Sequence, residues 1–451
     1  MFLVSSNDDN NYLSEESHLL VVGPPRCGKT RNVVIPNVLA AKGPTVVTST
    51  KPDIFSATAV DRKKNGEVWI FDPLNCVPDT AISAAQASRL YFSPLDAISD
   101  FHSGLLLARS MVRASSELAA ERGSFWQERA EATLAPVFLA AKLAGWNMNS
   151  VMDVIESKEV EPAFSILVNA GEKEAARTLG SILASAEKER SGILSNAAGI
   201  LGGYRSPQVI EQASCSNFNP DRFISSRDTI YIVAPASDQE IIAPVVVGLL
   251  SSIKESAYRW ASDNTYREGY KQPRDSVKFI LDEMANVAPV HDLASILSEG
   301  ASQGVLVLGV LQDLSQARAR WPGTADGLIT LFSNAMLFPG VSDVKTLRDF
   351  SDLSGERMVM LPSLGAPPHL FGQSRRSYSA QIRPNLSIGE LNRQLPNQAL
   401  IYCGSNGFSR VTFEAPPNSV ATGSGDVETP KTKGLRFALR DSLTAKFGRN
   451  R

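Results

Sequence analysis

A chain of 451 residues, 43% apolar and 20% charged, is long enough for two or three compact units around a sizeable core. The formal net charge of −2 removes global basicity as a reason to bind nucleic acid, so any polyanion contact must come from a local patch. The four cysteines (Cys27, Cys76, Cys215, Cys403) and four histidines (His18, His102, His291, His369) are scattered, which points to reduced thiols in a cytosolic setting and away from a zinc site.

The opening MFLVSSNDDNNYLSEES lacks the basic and apolar regions of a signal peptide. His18 to Val22 then reads as a short buried strand. GPPRCGKT at residues 23–30 fits the phosphate-loop pattern G-x-x-x-x-G-K-[ST], and Arg31 to Leu39 continues as a helix, with Pro36 as a possible kink. The residue types have physical reasons. Gly23 and Gly28 let the backbone curl, so that its N–H groups along Gly23, Pro24, Pro25, Arg26, Cys27, Gly28, Lys29 and Thr30 face phosphates (the prolines excepted). The helix start adds partial positive charge. Lys29 is expected to reach the outer phosphates of ATP, and Thr30 to give a hydroxyl to Mg²⁺. Cys27 reads as a small filler and not as a nucleophile.

PTVVTST at 44–50 and EVWIFD at 67–72 are strand-like. From about 97 to 220 the chain becomes rich in Ala, Leu, Glu and Arg. Trp126, Ala130, Thr133, Leu134, Val137, Phe138 and Ala141 recur at helical spacing, as do apolar residues across 172–202, so an all-helical insert is expected. Strand signals resume at 229–234, 277–283, 305–312, 335–341 and 398–402. The longest apolar stretches, such as PVVVGLL at 244–250, fall far short of the roughly 20 residues of a membrane span. No transmembrane segment is therefore expected in this chain.

The strand VKFIL at 277–281 runs into Asp282 and Glu283. Asp282 would hold Mg²⁺ through its water shell, and Glu283 would align and deprotonate the attacking water. The strand after it ends in Gln312, which reads either as a sensor touching the γ-phosphate or as a plain polar strand end. Leu353-Ser354-Gly355-Glu356 imitates a transporter signature but lies on the wrong side of the carboxylate strand, and is read as a helix end and turn. Beyond residue 415 the chain is linker-like, then basic, with seven Lys or Arg between Lys431 and Arg451. Leu435, Leu439, Leu443 and Phe447 fall four apart there, so this tail reads as a helix for an anionic membrane or a partner, or as a disordered basic tail.

These blocks together resemble the type IV secretion coupling proteins, the TraG/TraD-like branch of the FtsK–HerA translocases. The resemblance runs from about residue 17 to 412 through HLLVVGPPRCGKTRNVVIPNVL, VVTSTKPDIF, VWIFDPLN, FSPLDAI, FWQERAEATL, ILDEMANV, GVLVLGVLQDLSQ, FSNAMLFPGVSD and LPNQALIYCGSNG. Lys51 and Asp53 stand in the family's [ST]-x-K-G-[DE] element, with Pro52 in place of its glycine, and Asp72-Pro73 and Pro94-Leu95 stand in two further short elements.

The resemblance implies an α/β fold: a RecA-like P-loop NTPase core, mainly parallel, interrupted by an all-α insert domain. Residues 1–96 and 221–415 would form the nucleotide-binding domain, 97–220 the insert, and 416–451 a flexible tail. It also implies a homohexameric ring that spends ATP, with Mg²⁺, on feeding DNA or protein-bound DNA into a secretion channel. The lumen would contact the DNA backbone without reading sequence. Expected partners are DNA, a relaxase or secreted protein, and channel components, at the cytoplasmic face of the inner or plasma membrane. The family carries transmembrane helices ahead of its motor, whereas here Met1 lies twenty-two residues before Gly23. A removed segment, a separate membrane chain and a soluble member are the three expectations. The family also places Arg or Lys near SEGASQGV at 298–305, where this chain has none. A trans-acting arginine finger would come from Arg318, Arg320 or Arg348. Two alternatives to the motor stay open: a nucleotide-binding receptor or adaptor that recruits substrates through the insert, and a DNA translocase outside secretion.

Overall fold

The computed structural model describes residues 2, 13, 17–115, 123–235, 237–266, 275–364, 376–393, 395, 397–413 and 438–439. Its strands in chain order are β1 (Leu19–Val22), β2 (Thr45–Ser49), β3 (Val68–Phe71), β4 (Ser88–Arg89), β5 (Thr229–Val233), β6 (Val277–Leu281), β7 (Val305–Leu311), β8 (Asn334–Leu337), β9 (Glu356–Leu364), β10 (Arg376–Pro384), β11 (Gln398–Cys403), β12 (Phe408–Thr412) and β13 (Ala438–Leu439). An 11-stranded sheet runs in the order β13-β12-β11-β8-β1-β7-β6-β2-β5-β3-β4. All pairings from β8 across to β4 are parallel. β11, β12 and β13 join antiparallel at the other side.

Alternation within each strand explains the layering. Leu20 and Val22 of β1, with Phe279 and Leu281 of β6, face one hydrophobic cluster. Leu19 and Val21, with Ile280, face a second. A parallel strand buried on both faces is apolar, which is why β1 and β7 read as unbroken apolar runs and β6 as one broken only by Lys278 near its start. The second cluster includes Val33, Val34, Val38, Ile54 and Phe55 from the segments after β1 and β2. The first is continuous with the helical residues placed between β4 and β5. There Phe101–Ala114, Gly123–Ala144, Met148–Ser157, Glu161–Ala170, Lys173–Leu183 and Glu187–Ile200 form a bundle. Ala130, Thr133, Leu134, Val137, Phe138 and Ala141 are all buried within it. Burying each such Leu, Val or Phe contributes about 1.5–3 kcal/mol.

The helix Gln239–Tyr266 contains a 23-residue stretch, Ile241–Asp263, that by length and composition alone could cross a membrane, although 83% of its most apolar window is buried. It packs beside Phe101–Ala114 as a core helix, and PVVVGLL is only its most apolar part.

Several expectations change. The segment after the phosphate loop is a π-helical turn, Thr30–Val34, followed by an α-helix, Ile35–Ala40. Pro36 lies in the first turn of that α-helix, where a missing N–H matters least, so it starts an element instead of kinking one. The antiparallel ribbon β9–β10 has no counterpart among the expected strands. Met358, Met360, Tyr378 and Ile382 on it are more than half exposed, so no core pattern announced it. Leu353 closes helix Val344–Leu353 and Gly355 follows with φ +71°, the expected helix end and turn. In the tail, Ala438–Leu439 pairs with β12 as a strand, where a helical face was expected. Leu435, Leu443 and Phe447 lie outside the described residues.

Candidate functional site

The carboxyl ends of parallel strands are where an open α/β sheet leaves a crevice. Here β1, β7, β6 and β2 are neighbours, and they deliver the candidate residues to that edge. After β1 the chain turns through Gly23 to Thr30. A Cβ on Gly23 would stand 2.6 Å from Phe338 Cβ and 2.8 Å from Cys27 Sγ, so no other residue fits without displacing β8's successor. Gly28 has φ +98°, a conformation L side chains rarely adopt. Arg26 is also left-handed, at φ 62°, and with Pro25 is exposed at the tip of the loop. Burial pushes the Cys27 thiol up, away from reactivity, which suits the filler reading.

Lys29 is buried, and its Nζ donates to the main-chain carbonyls of Gly23 and, at 2.9 Å, of Pro24. Thr30 Oγ1 donates to Asp282 Oδ2 at 3.3 Å. Thr48, near the end of β2, donates to the Asp282 carbonyl at 3.0 Å and fixes the turn after β6. Burial raises the Asp282 pKa to about 6; the neighbouring Glu283 and Asp53 add to this, while Lys29 and Thr30 oppose it.

Glu283 adopts φ 53° and ψ 46°, left-handed backbone that costs a non-glycine residue roughly 1–2 kcal/mol. In that pose its carboxylate accepts from Gln312 Nε2 at 3.3 and 3.4 Å. A strained residue held at the mouth of a crevice is a reason to look for function there. Gln312, at the end of β7, is itself held by its N–H donating to Gln316 Oε1 at 2.9 Å.

Asp53 was placed by its motif but given no role; only the neighbouring of β2 and β6 brings it close enough to act on Asp282. Its Oδ1 receives the Ser49 hydroxyl at 3.2 Å and the Ile54 N–H at 2.8 Å, while Lys51 is exposed. Asp72 is a buried turn acceptor, bonded by the N–H groups of Cys76 at 2.9 Å and Val77 at 2.7 Å. Pro94–Ala97 is a single 3₁₀ turn.

The three candidate finger arginines differ. Arg318 pairs with Asp343 and, at 3.7 Å, with Asp349. Arg320 donates to the Ala114 carbonyl. Arg348 is exposed on helix Val344–Leu353. A cavity of about 660 Å³ at the edge of the helical bundle, lined by Asp96, Asp100, Asp221 and Arg259 among others, includes none of the phosphate-loop residues.

A glycine turn between a central parallel strand and its helix, facing a carboxylate from another strand, places the molecule among the P-loop α/β proteins with a RecA-like core. Within that class the chain belongs to the type IV secretory system conjugative DNA transfer family, whose model matches residues 4–401. It is 24% identical over 411 residues to the conjugal transfer protein TraG of Escherichia coli, covering 84% of this chain and 62% of that protein. It is 23% identical over 361 residues to VirD4 of Rhizobium rhizogenes, covering 77% of this chain and 50% of that one. The chain thus spans less than two thirds of the length of these relatives. The unbound conjugative coupling protein TrwBdeltaN70 superposes with a TM-score of 0.66 at 16% identity, over 89% of this chain and 85% of that one. TrwB with ADP and Mg²⁺ superposes equally well, at 0.66 and 16% identity, over 89% and 86% of the two chains. The likeness confirms the fold.

Proposed function

We propose that this chain is the ATP-driven motor of a conjugation or type IV secretion coupling protein, which recruits DNA or protein-bound DNA and passes it to a secretion channel. The observation that carries the reading is one meeting point. Thr30 reaches Asp282 at 3.3 Å, and Gln312 reaches Glu283 at 3.3 Å, at one edge of the sheet. They set a phosphate-loop hydroxyl against a strand-end carboxylate, across 252 residues of chain, at the edge where an open α/β sheet takes its ligand.

The residues fit ATP with Mg²⁺. Thr30 Oγ1 and Asp282 would supply the oxygen-only donors that Mg²⁺ prefers, Asp282 by way of water. Burial and Glu283 leave Asp282 short of positive charge, which a divalent cation would supply. When bound, Mg²⁺ would offset the charge of the outer phosphates. Lys29 would exchange its carbonyl partners for phosphate oxygens. Glu283 would take the proton of the attacking water, and Gln312 would hold that carboxylate in place.

In this reading residues 1–96 and 221–415 form the motor, 97–220 receive the relaxase or secreted protein, and 416–451 form a basic tail. The active form is a homohexamer at the cytoplasmic face of the membrane, with DNA in its lumen held by its backbone. Arg348 is the candidate left exposed to reach a neighbour's nucleotide. ATP hydrolysis stimulated by duplex DNA, and weakening steeply as salt rises, is the expected result. Oligomeric protein that hydrolyses nothing with any DNA would end the motor reading. The adaptor alternative is favoured by the in-chain contacts of Arg318 and Arg320 and the lack of a basic residue at 298–305. It predicts nucleotide binding without hydrolysis.

A further inference from the structure

Helix Leu314–Arg320 begins two residues after Gln312 and ends in contacts that the nucleotide site does not use. At its start, Gln316 accepts the Gln312 N–H, so helix and sensor residue are joined. At its end, Arg320 Nη2 donates to the carbonyl of Ala114, the last residue of helix Phe101–Ala114. The indole N–H of the buried Trp321 donates at 2.7 Å to the carbonyl of Val290, in the segment that leaves Glu283. This short helix, with Trp321 directly after it, therefore touches the sensor, the chain after the candidate base, and the first helix of the inserted bundle.

Ala114 is well placed to be read. The last carbonyls of a helix have no partner within it, and they carry the negative end of its dipole. A guanidinium answers both needs. Helix Phe101–Ala114 is in turn tied to Gly123–Ala144, since Arg109 and Arg113 reach Glu131 at 3.2 and 3.4 Å. Ser110 and Ser251 hydroxyls, 3.1 Å apart, join it to Gln239–Tyr266. Helix Phe101–Ala114 is thus tied to two neighbouring helices.

We infer that Arg320 is a positioning residue that couples the Glu283–Gln312 contact to the helical bundle, and so links the nucleotide site to whatever the bundle holds. The inference rests on the nucleotide reading above. Coupling of this kind is reciprocal: nucleotide alters the bundle, and a bundle ligand alters the placement of Gln312.

The test is hydrogen exchange of residues 101–114 in the full-length protein, with and without a non-hydrolysable ATP analogue and Mg²⁺. Native protein should show an analogue-dependent change there. Arg320→Ala should bind the analogue with the native Kd and lose that change, while Arg320→Lys should recover part of it. A native protein that binds the analogue without a response in 101–114 overturns the coupling and leaves the nucleotide reading standing; this arm needs no variant to fold. An intact response in Arg320→Ala, with hydrolysis abolished, overturns it as well and returns Arg320 to the role of arginine finger. A native protein that binds no analogue brings down the nucleotide reading, and the coupling with it.

Discussion

The carboxyl and amino edges of the same parallel sheet both bury ionisable side chains, and they treat them differently. At the amino edge Arg62 is 1% exposed. Its guanidinium donates to Thr229 Oγ1 at 2.7 Å, to the carbonyls of Gly43 and Arg227 at 3.3 and 3.2 Å, and to that of Ala41. At the carboxyl edge Asp282 has, among the described residues, one side-chain donor, Thr30, and lies beside two further carboxylates. A structural charge is surrounded by partners that complete it. In the proposed reading Asp282 is kept for a ligand, and here burial and the neighbouring carboxylates raise its pKa. Lys278 marks a middle case at the amino edge. Burial, Arg62 and Lys42 draw its pKa down to about 8. Among the described residues its ammonium, a point charge without Arg62's fork of donors, has the face of Phe2 at 5.7 Å and the opposing charge of Asp275.

Substitutions at the two edges sharpen the contrast. Lys29→Ala should lower kcat for ATP by about 10³-fold, the scale of losing one charge-stabilising donor in a reacting site, with the folding midpoint little changed in a thermal melt. Glu283→Gln should lower kcat by about 10²-fold, as for loss of a general base, while leaving nucleotide binding intact in a fluorescence titration. Arg62→Met should do the reverse. Buried acceptors left without a donor cost about 1–3 kcal/mol each, so urea unfolding should report a loss of at least about 3 kcal/mol, with kcat of the folded fraction preserved. If Arg62→Met instead spares stability and impairs hydrolysis, the contrast between the edges is wrong.

The smallest effect is at Lys278. Its folded pKa of about 8 lies below a lysine's ordinary 10.5. Between those values the unfolded chain holds a proton that the folded protein has released, so stability rises with pH across that window and is lowest below it. Lys278→Met should remove that slope and stabilise the protein near pH 7 on the order of 2 kcal/mol, read from urea midpoints at pH 7 and pH 10.

Much of this was legible in the chain itself. GPPRCGKT needed only its pattern and flanks, because a phosphate loop is built from contiguous residues. The carboxylate strand was legible because parallel strands buried on both faces must be apolar, so Asp282 and Glu283 stand out at the end of VKFIL. The ribbon β9–β10 was not, since its apolar side chains face solvent and no burial pattern encodes them. Thr48 and the role of Asp53 escaped for another reason. Their part depends on β2 lying beside β6, and strand order is a non-local property.

What the amino-acid sequence determined by itself was local chemistry: the glycine turn, the apolar strands, the helical insert and the identity of the polar residues at strand ends. What only the tertiary structure decided was adjacency. It set Thr30 against Asp282, turned Glu283 into left-handed backbone facing Gln312, and committed Arg318 and Arg320 to partners in their own chain. The reason is physical. Periodicity and turn propensity act over a few residues, whereas the distance between two strand tips is fixed by the packing of everything in between.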